Sequence, residues 1–129
     1  MVSLREYKTS TGKTVLLGKS AESNEDLIAQ SEKNELLLHT SKPGSPFANI
    51  KDKESNITKQ EIYEAAVMCA KHSQDWRDNK TNIAVNVFSA SDVYKTSDMD
   101  LGTFGVKKSK KILVKKMDIL NFEKNAFNS

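Results

Sequence analysis

The most distinctive chemical feature of the sequence is a run of lysines near its C-terminal end. The segment KKSKKILVKK, residues 107–116, has six lysines and no acidic residue in ten positions. Lysines that neutralise phosphates release counterions, which gives nucleic-acid affinity that is strong at low salt and independent of base sequence. A charged edge strand protected against aggregation has the same composition. On charge alone the two interpretations are even. The residues that we single out as phosphate contacts are Lys107, Lys108, Lys110 and Lys111.

A second group of polar residues surrounds a histidine at the end of a predicted strand. His39 precedes the turn sequence Ser41-Lys42-Pro43-Gly44-Ser45. A neutral histidine can stack on a base or bond a ribose hydroxyl, while Lys42 and the amides of Gly44 and Ser45 meet a phosphate. The alternative is a histidine that bonds the loop backbone and only holds the turn. The sequence leaves these two roles about even.

Two further short segments carry weaker signals. Gly18-Lys19-Ser20 precedes a predicted helix and so resembles an anion site, but it lacks both the P-loop and the dinucleotide-binding glycine patterns. We therefore expect Ser20 to cap the helix and Lys19 to contribute charge. Tyr94, beside Lys95, is the aromatic residue that we expect to be exposed. Because aromatic residues are few and scattered, the sequence favours recognition of shape and phosphates over readout of single-stranded bases.

The sequence gives little support for catalysis or metal binding. It contains two histidines and one cysteine, which do not make a zinc ligand set. We expect Cys69 to pack on a helix stripe of small residues and His72 to be exposed. No catalytic constellation is present, so we predict a protein that is not an enzyme and needs no cofactor or metal.

Composition points to a folded domain of ordinary type. The chain has 129 residues, 37% hydrophobic and 29% charged residues, and a net charge of +3. A single cysteine fits a reducing compartment, no signal peptide is recognisable, and no apolar run reaches the ~18 residues of a membrane span. We expect a cytoplasmic protein with no membrane partner.

The elements that must position these residues form an α+β pattern. We predict a mostly antiparallel, twisted sheet of about five to six strands with two main helices packed on one face. Residues 1–117 form one domain, and residues 118–129 form a tail that either docks as a short helix or frays. Thr58 and Glu61 fit a capping box, which makes the second helix the best-marked element. The predicted strands are 4–9, 13–17, 35–40, 47–50, 82–88 and 112–114, and the first helix runs from Ser20 or Ser23 to about Gln30.

The order of these elements and the residues between them resemble the NFACT-R domain, the RNA-binding domain of a family linked to ribosome quality control and formerly called fibronectin-binding. The similarity covers roughly residues 4–116. The matching segments are Gly18-Lys19-Ser20-Ala21 with Asn24, Glu35 to His39 followed by Pro43-Gly44-Ser45, Ala65-Ala66 with Ala70 and Ser73, Asn82 to Phe88, Tyr94-Lys95, Gly102 or Gly105, and Ile112 to Val114.

Two positions depart from the family pattern. Leu37 stands where the family usually has a tryptophan, and Pro46 stands where it usually has a histidine after glycine-serine. The first change is a swap of one core residue for another. The second removes an RNA-facing group from the loop, so it bears on the binding chemistry.

The resemblance implies a stand-alone module that binds structured RNA, tRNA or rRNA, in translation quality control or RNA modification. The four lysines would hold phosphates, with His39, Lys42 and Ser45 as a second contact loop. An alternative is an accessory module that docks on an RNA-modifying enzyme or the ribosome, and a weaker one is a small RNA-acting enzyme using His39. The RNA species, the protein partner and the oligomeric state are not specified by the sequence.

Overall fold

The computed structural model describes residues 4–52, 54 and 56–128, with side chains to Asn125. Four helices and eight strands follow one another in these residues. The helices are α1 (Ala21–Gln30), α2 (Lys59–Lys71), α3 (Gln74–Asn79) and α4 (Lys116–Asn128). The strands are β1 (Arg5–Lys8), β2 (Thr14–Leu17), β3 (Leu36–Thr40), β4 (Ala48–Ile50), β5 (Ile83–Ser89), β6 (Val93–Tyr94), β7 (Gly105–Val106) and β8 (Lys110–Val114).

Six of the strands form one antiparallel sheet in the order β1-β2-β4-β3-β5-β8, and β6 pairs with β7 separately. The α+β class with an antiparallel sheet of six strands is therefore confirmed. The order places β8, the lysine-rich strand, at an edge. The opening hairpin turns at Gly12, whose φ of +92° is accessible to glycine without the strain that a side chain would bring.

The capping box of α2 is present as the sequence predicts. The Thr58 hydroxyl accepts from the Glu61 amide at 3.1 Å, and the Glu61 carboxylate accepts from the Thr58 amide at 2.8 Å. Behind this cap, the small side chains of Ala66, Cys69 and Ala70 are fully buried in the core against the sheet. Their size lets the helix axis lie close to the strands.

The helices cover both faces of the sheet, whereas the sequence predicted both main helices on one face. Leu38 and Val85 pack with α2 and with Ile119 of α4, while Leu37 and Phe88 pack with Leu27 of α1 on the opposite face. The reason lies in the run of consecutive leucines in β3. Neighbouring side chains of a strand point to opposite faces, so an unbroken apolar run needs a cover on each side.

The C-terminal segment packs as a helix. Ile119 of α4 is fully buried, Tyr63 of α2 donates a hydrogen bond to Asp118, and the indole Nε1 of Trp76 lies 3.2 Å from Glu123 Oε2. A domain boundary at residue 117 stays a prediction. In the described part of the chain, no helix has the length and apolar character that a membrane crossing needs.

Candidate nucleic-acid interface

One end of the main sheet gathers Lys19, His39, Lys42 and Ser45 from the residues that the sequence singled out. There β3 ends, β4 begins, and α1 starts after β2. The strand register sets His39 opposite Asn86, and Asn86 opposite Lys111, so these three residues form a row across β3, β5 and β8. Because side chains alternate along a strand, the row lies on the same face as α1.

A cleft of about 470 Å³ opens on this face. We call it the aromatic cleft because Phe47, Phe88 and Phe104 line it together with His39 and Asn86. The ring centroids of Phe47 and Phe104 lie 5.6 Å apart, and those of His39 and Phe47 lie 4.6 Å apart. The sequence places these aromatic residues far apart, so only the folded chain brings them to one wall.

The His39 ring bonds the backbone of the loop after β3 and also lines the cleft. Its Nδ1 donates to the carbonyl oxygen of Thr40 at 2.7 Å. Burial lowers the pKa of the imidazole, against the effect of its hydrogen bonds with the backbone of Thr40 and Ser45, so the ring is neutral at pH 7. These bonds support the turn-holding role that the sequence left open. The neutral ring nevertheless forms part of the cleft wall.

The loop after β3 is held by its own polar groups. The Ser45 hydroxyl accepts from the Thr40 amide at 3.1 Å, and the Thr40 hydroxyl donates to the carbonyl of Lys42 at 2.7 Å. The ammonium of Lys42 projects into solvent, 3.6 Å from a carboxylate oxygen of Asp75, with 67% of the side chain exposed. Pro46, where the family usually has histidine, is buried, and its carbonyl accepts from the Cys69 thiol.

Lys95 has a structural role that the sequence did not indicate. Its ammonium pairs with Glu25 at 2.8 Å, donates to the carbonyls of Asp100 and Thr103, and sits 4.6 Å from the centroid of the Phe104 ring. It therefore fixes the segment that closes one side of the aromatic cleft. Tyr94 is 42% exposed, as predicted. Whether either residue contacts RNA stays a prediction.

The predicted phosphate-binding lysines lie in the segment that passes the other side of the cleft. All four are exposed, and Ser109, which lies between them in the chain, lines the cleft. Two of these lysines, Lys110 and Lys111, are neighbours in the chain but have different surroundings. Lys110 lies opposite Val87, which packs on the α2 face, while Lys111 lies opposite Asn86 on the α1 face.

A second, smaller cleft of about 250 Å³ lies beside the first. We call it the basic cleft, since Arg5, Lys19, His72 and Arg77 line it. Of these, the sequence pointed only to Lys19, whose amide bonds the Ser23 hydroxyl within the predicted helix start. Arg5, His72 and Arg77 are distant in the chain, and no local motif marks them. His72, expected to be exposed, is half-buried and bonds the Tyr7 hydroxyl at 2.8 Å.

The reactive side chains have environments that suit packing. Burial raises the pKa of the Cys69 thiol to about 12, so the thiolate is scarce near neutral pH. Among the residues with a described placement, no group of three His, Cys, Asp or Glu side chains is arranged to hold a metal ion. The described geometry thus offers a surface for binding, with cations on two flanks of an aromatic cleft.

An α+β domain with a lysine-rich edge strand beside such a cleft has the charge and shape of a nucleic-acid-binding module. The chain belongs to the family described as the NFACT protein RNA binding domain, which matches residues 3–108. This confirms the resemblance seen in the sequence and supports a general RNA-binding role.

The fold is also similar to a solved structure, the C-terminal part of the fibronectin/fibrinogen-binding protein from Streptococcus suis. The TM-score is 0.82 over 94% of this chain, at 19% sequence identity, which shows a shared fold. The chain spans about half of that structure, 49% of its length. No curated protein sequence shows significant similarity to the chain.

Proposed function

We propose that the chain binds structured RNA, either tRNA or rRNA, mainly through phosphate contacts, and acts in translation quality control or RNA modification. The observation that carries the proposal is the position of the lysine-rich segment. Lys107, Lys108, Lys110 and Lys111 are exposed along or just before an edge strand that borders the aromatic cleft. Membership of an RNA-binding family makes phosphate contact the better explanation of this charge than edge protection alone.

The proposal assigns the second contact to the loop after β3. Lys42 is exposed there, and Ser45 and His39 hold the loop in shape beside the cleft. A folded RNA presents phosphates on several sides, so cations at separate points on one surface select for its shape. We further propose that the chain acts in the cytoplasm. We also propose that it is not an enzyme, since Cys69 is buried and the His39 ring is hydrogen-bonded to the backbone.

Binding of fluorescently labelled tRNA and of rRNA fragments at several salt concentrations tests the proposal. We expect the affinity of the wild type to fall steeply as the salt concentration rises. We expect a Lys107/Lys108/Lys110/Lys111→Ala variant to lose nearly all of this salt-dependent binding. A control variant, Lys8→Ala with Lys59→Ala, removes exposed lysines from the opposite edge strand β1 and from the start of α2, and is expected to bind almost normally. Salt-insensitive binding by the wild type, or equal binding by the quadruple variant, would show that the proposal is wrong.

A protein-docking role is the second candidate, and one observation favours it. Leu113, Met117 and Leu120 are 53%, 62% and 37% exposed, within one stretch of β8 and α4. Exposed apolar side chains that lie close together often mark a protein contact. Co-sedimentation with ribosomes at a salt concentration that abolishes tRNA binding would reveal such a contact. We expect Leu113→Ser with Met117→Ser to abolish it if docking is the main role.

A further inference from the structure

We propose that the aromatic cleft and the basic cleft together form one groove for an unpaired nucleotide of the RNA. The base would enter the aromatic cleft, and the neighbouring backbone phosphate would bind in the basic cleft. This inference rests on the proposed RNA-binding function and adds to it a specific part of the RNA. Three properties of the groove support it: the charge of one cleft, the residues that both clefts share and the lining of the other.

The basic cleft concentrates positive charge. The Arg5 guanidinium donates to the carbonyl of Gly18 at 3.0 Å, and that of Arg77 donates to the carbonyl of His72 at 3.3 Å and to the side-chain oxygen of Gln74 at 3.0 Å. These acceptors are uncharged. Burial, together with the positive charges of Arg5, Lys71 and Arg77, lowers the pKa of His72 to about 4. A cleft with two oriented arginines of this kind suits a phosphate.

The two clefts adjoin. Ala21, Asn24, Gly44 and Ser45 line both of them. These residues come from the first turn of α1 and the loop after β3, so the proposed groove would pass between the two segments. Asn24 braces this boundary, because its side-chain oxygen accepts from the Phe47 amide at 3.1 Å. In a nucleic-acid strand each base lies close to its own phosphate. A basic cleft next to an apolar cleft could therefore bind the phosphate and the base of one nucleotide.

The aromatic cleft has the lining of a base site. Phe104 and the small exposed parts of Phe47 and Phe88, each 4% exposed, supply apolar surface, and the volume of about 470 Å³ falls within the range of small-ligand pockets, roughly 300–1,000 Å³. Asn86 contributes a carboxamide, whose oxygen accepts from the Ser41 hydroxyl at 2.9 Å. This bond directs the amide NH₂ group, a donor, away from Ser41. Loops 40–45 and 102–104 frame the opening, so a base paired within a duplex would not reach the lining.

Three RNA probes test the inference by fluorescence anisotropy. They are a blunt RNA duplex, the same duplex with a short single-stranded extension, and the duplex with an extension of equal length made of abasic residues. The abasic extension keeps the phosphates and lacks the bases. We expect the extension with bases to bind roughly fivefold or more tightly than the abasic one, which is the gain typical of one base contact.

The variants separate the two halves of the groove. Asn86→Ala is expected to reduce the preference for bases and to leave the salt dependence unchanged. Ser41→Ala is its matched control, because it removes the same Ser41–Asn86 bond and keeps the amide. Arg77→Gln, alone and with Arg5→Gln, is expected to weaken binding of both extended probes and to lower the salt slope by roughly 0.7 for each phosphate that is no longer neutralised. Lys8→Gln with Lys59→Gln, two exposed lysines that line neither cleft, controls for the change in net charge.

Each outcome distinguishes this inference from the proposed function. If no probe binds, both are wrong. If all three probes bind equally, or if Asn86→Ala and Ser41→Ala have the same effect, the groove does not hold a base, and RNA binding through the lysines stands by itself. Thermal melting of every variant, followed by circular dichroism, separates effects on binding from effects on folding. Arg77 lies on the exposed side of the short helix α3. Arg77→Gln alone therefore still tests the basic cleft if Arg5→Gln unfolds the chain.

Discussion

Lys110 and Lys111 are neighbours in the chain, but the fold sets them on opposite faces of β8. Lys111 continues the row that contains His39 and Asn86, beside the aromatic cleft, whereas Lys110 lies opposite Val87 on the side of α2. If RNA lies across the α1 face, only Lys111 of this pair contacts a phosphate. We therefore predict that Lys111→Gln weakens RNA binding and that Lys110→Gln, which removes the same charge, has much less effect.

The expected size follows from counterion release. Removing one lysine–phosphate contact lowers the slope of log K against log[salt] by about 0.7 to 0.9. At about 0.15 M salt this corresponds to roughly fivefold weaker binding, or about 1 kcal/mol. Lys110 is an exposed side chain on the other face, so its substitution changes only the long-range field, which salt screens beyond about 8 Å.

Binding of labelled tRNA, or of the rRNA fragment that binds best, measured from low to physiological salt, gives both slopes. The single variants carry the same net charge, so any difference between them reports position. Equal reductions in slope for Lys110→Gln and Lys111→Gln would refute the assignment of the RNA-binding face. In that case the lysine segment would act as a diffuse positive charge.

Three further predictions concern stability and the shape of the groove. Trp76 is 1% exposed and bonds Glu123, so Trp76→Ala should lower the free energy of unfolding by about 3–5 kcal/mol in urea denaturation, and a decrease under about 1 kcal/mol would contradict its place in the core. His72 has a pKa of about 4 in the folded chain and an ordinary value of 6.5, so the unfolded chain binds more protons between these pH values and stability should fall as pH falls from about 6.5 to about 4. That decrease should be smaller in His72→Gln, measured by urea denaturation at each pH. Gly18→Ala should disturb the groove, because the new Cβ would lie 2.0 Å from the Asn24 side-chain oxygen. The Tm of this variant should therefore be lower than that of the wild type. A variant with wild-type stability and RNA binding would show that the Asn24 side chain can move aside.

The sequence predicted the local elements well, because each is determined by neighbours in the chain. The hairpin needs only Gly12 between two short extended runs, and the start of α2 needs only the reciprocal bonds of Thr58 and Glu61. The place of α1 is a different kind of property. It depends on which face of the sheet α2 leaves open, and a helix period does not contain that information. The leucine run in β3 carried the signal, since an unbroken apolar strand needs cover on both sides.

The residues of the candidate site also differ in whether neighbours in the chain or tertiary packing bring them together. The lysines of residues 107–111 are contiguous, so composition alone revealed them, and His39 was marked by its place at a strand end. Arg5 and Arg77 are separated by most of the chain, and they meet only because β1 starts at the end of the sheet where α2 finishes. The three phenylalanines of the aromatic cleft likewise come together through tertiary packing. Scattered aromatic residues therefore favoured phosphate recognition in the sequence, whereas the folded chain collects them into one lining. If that lining holds a base, the lysines supply affinity and the cleft supplies the preference for unpaired RNA.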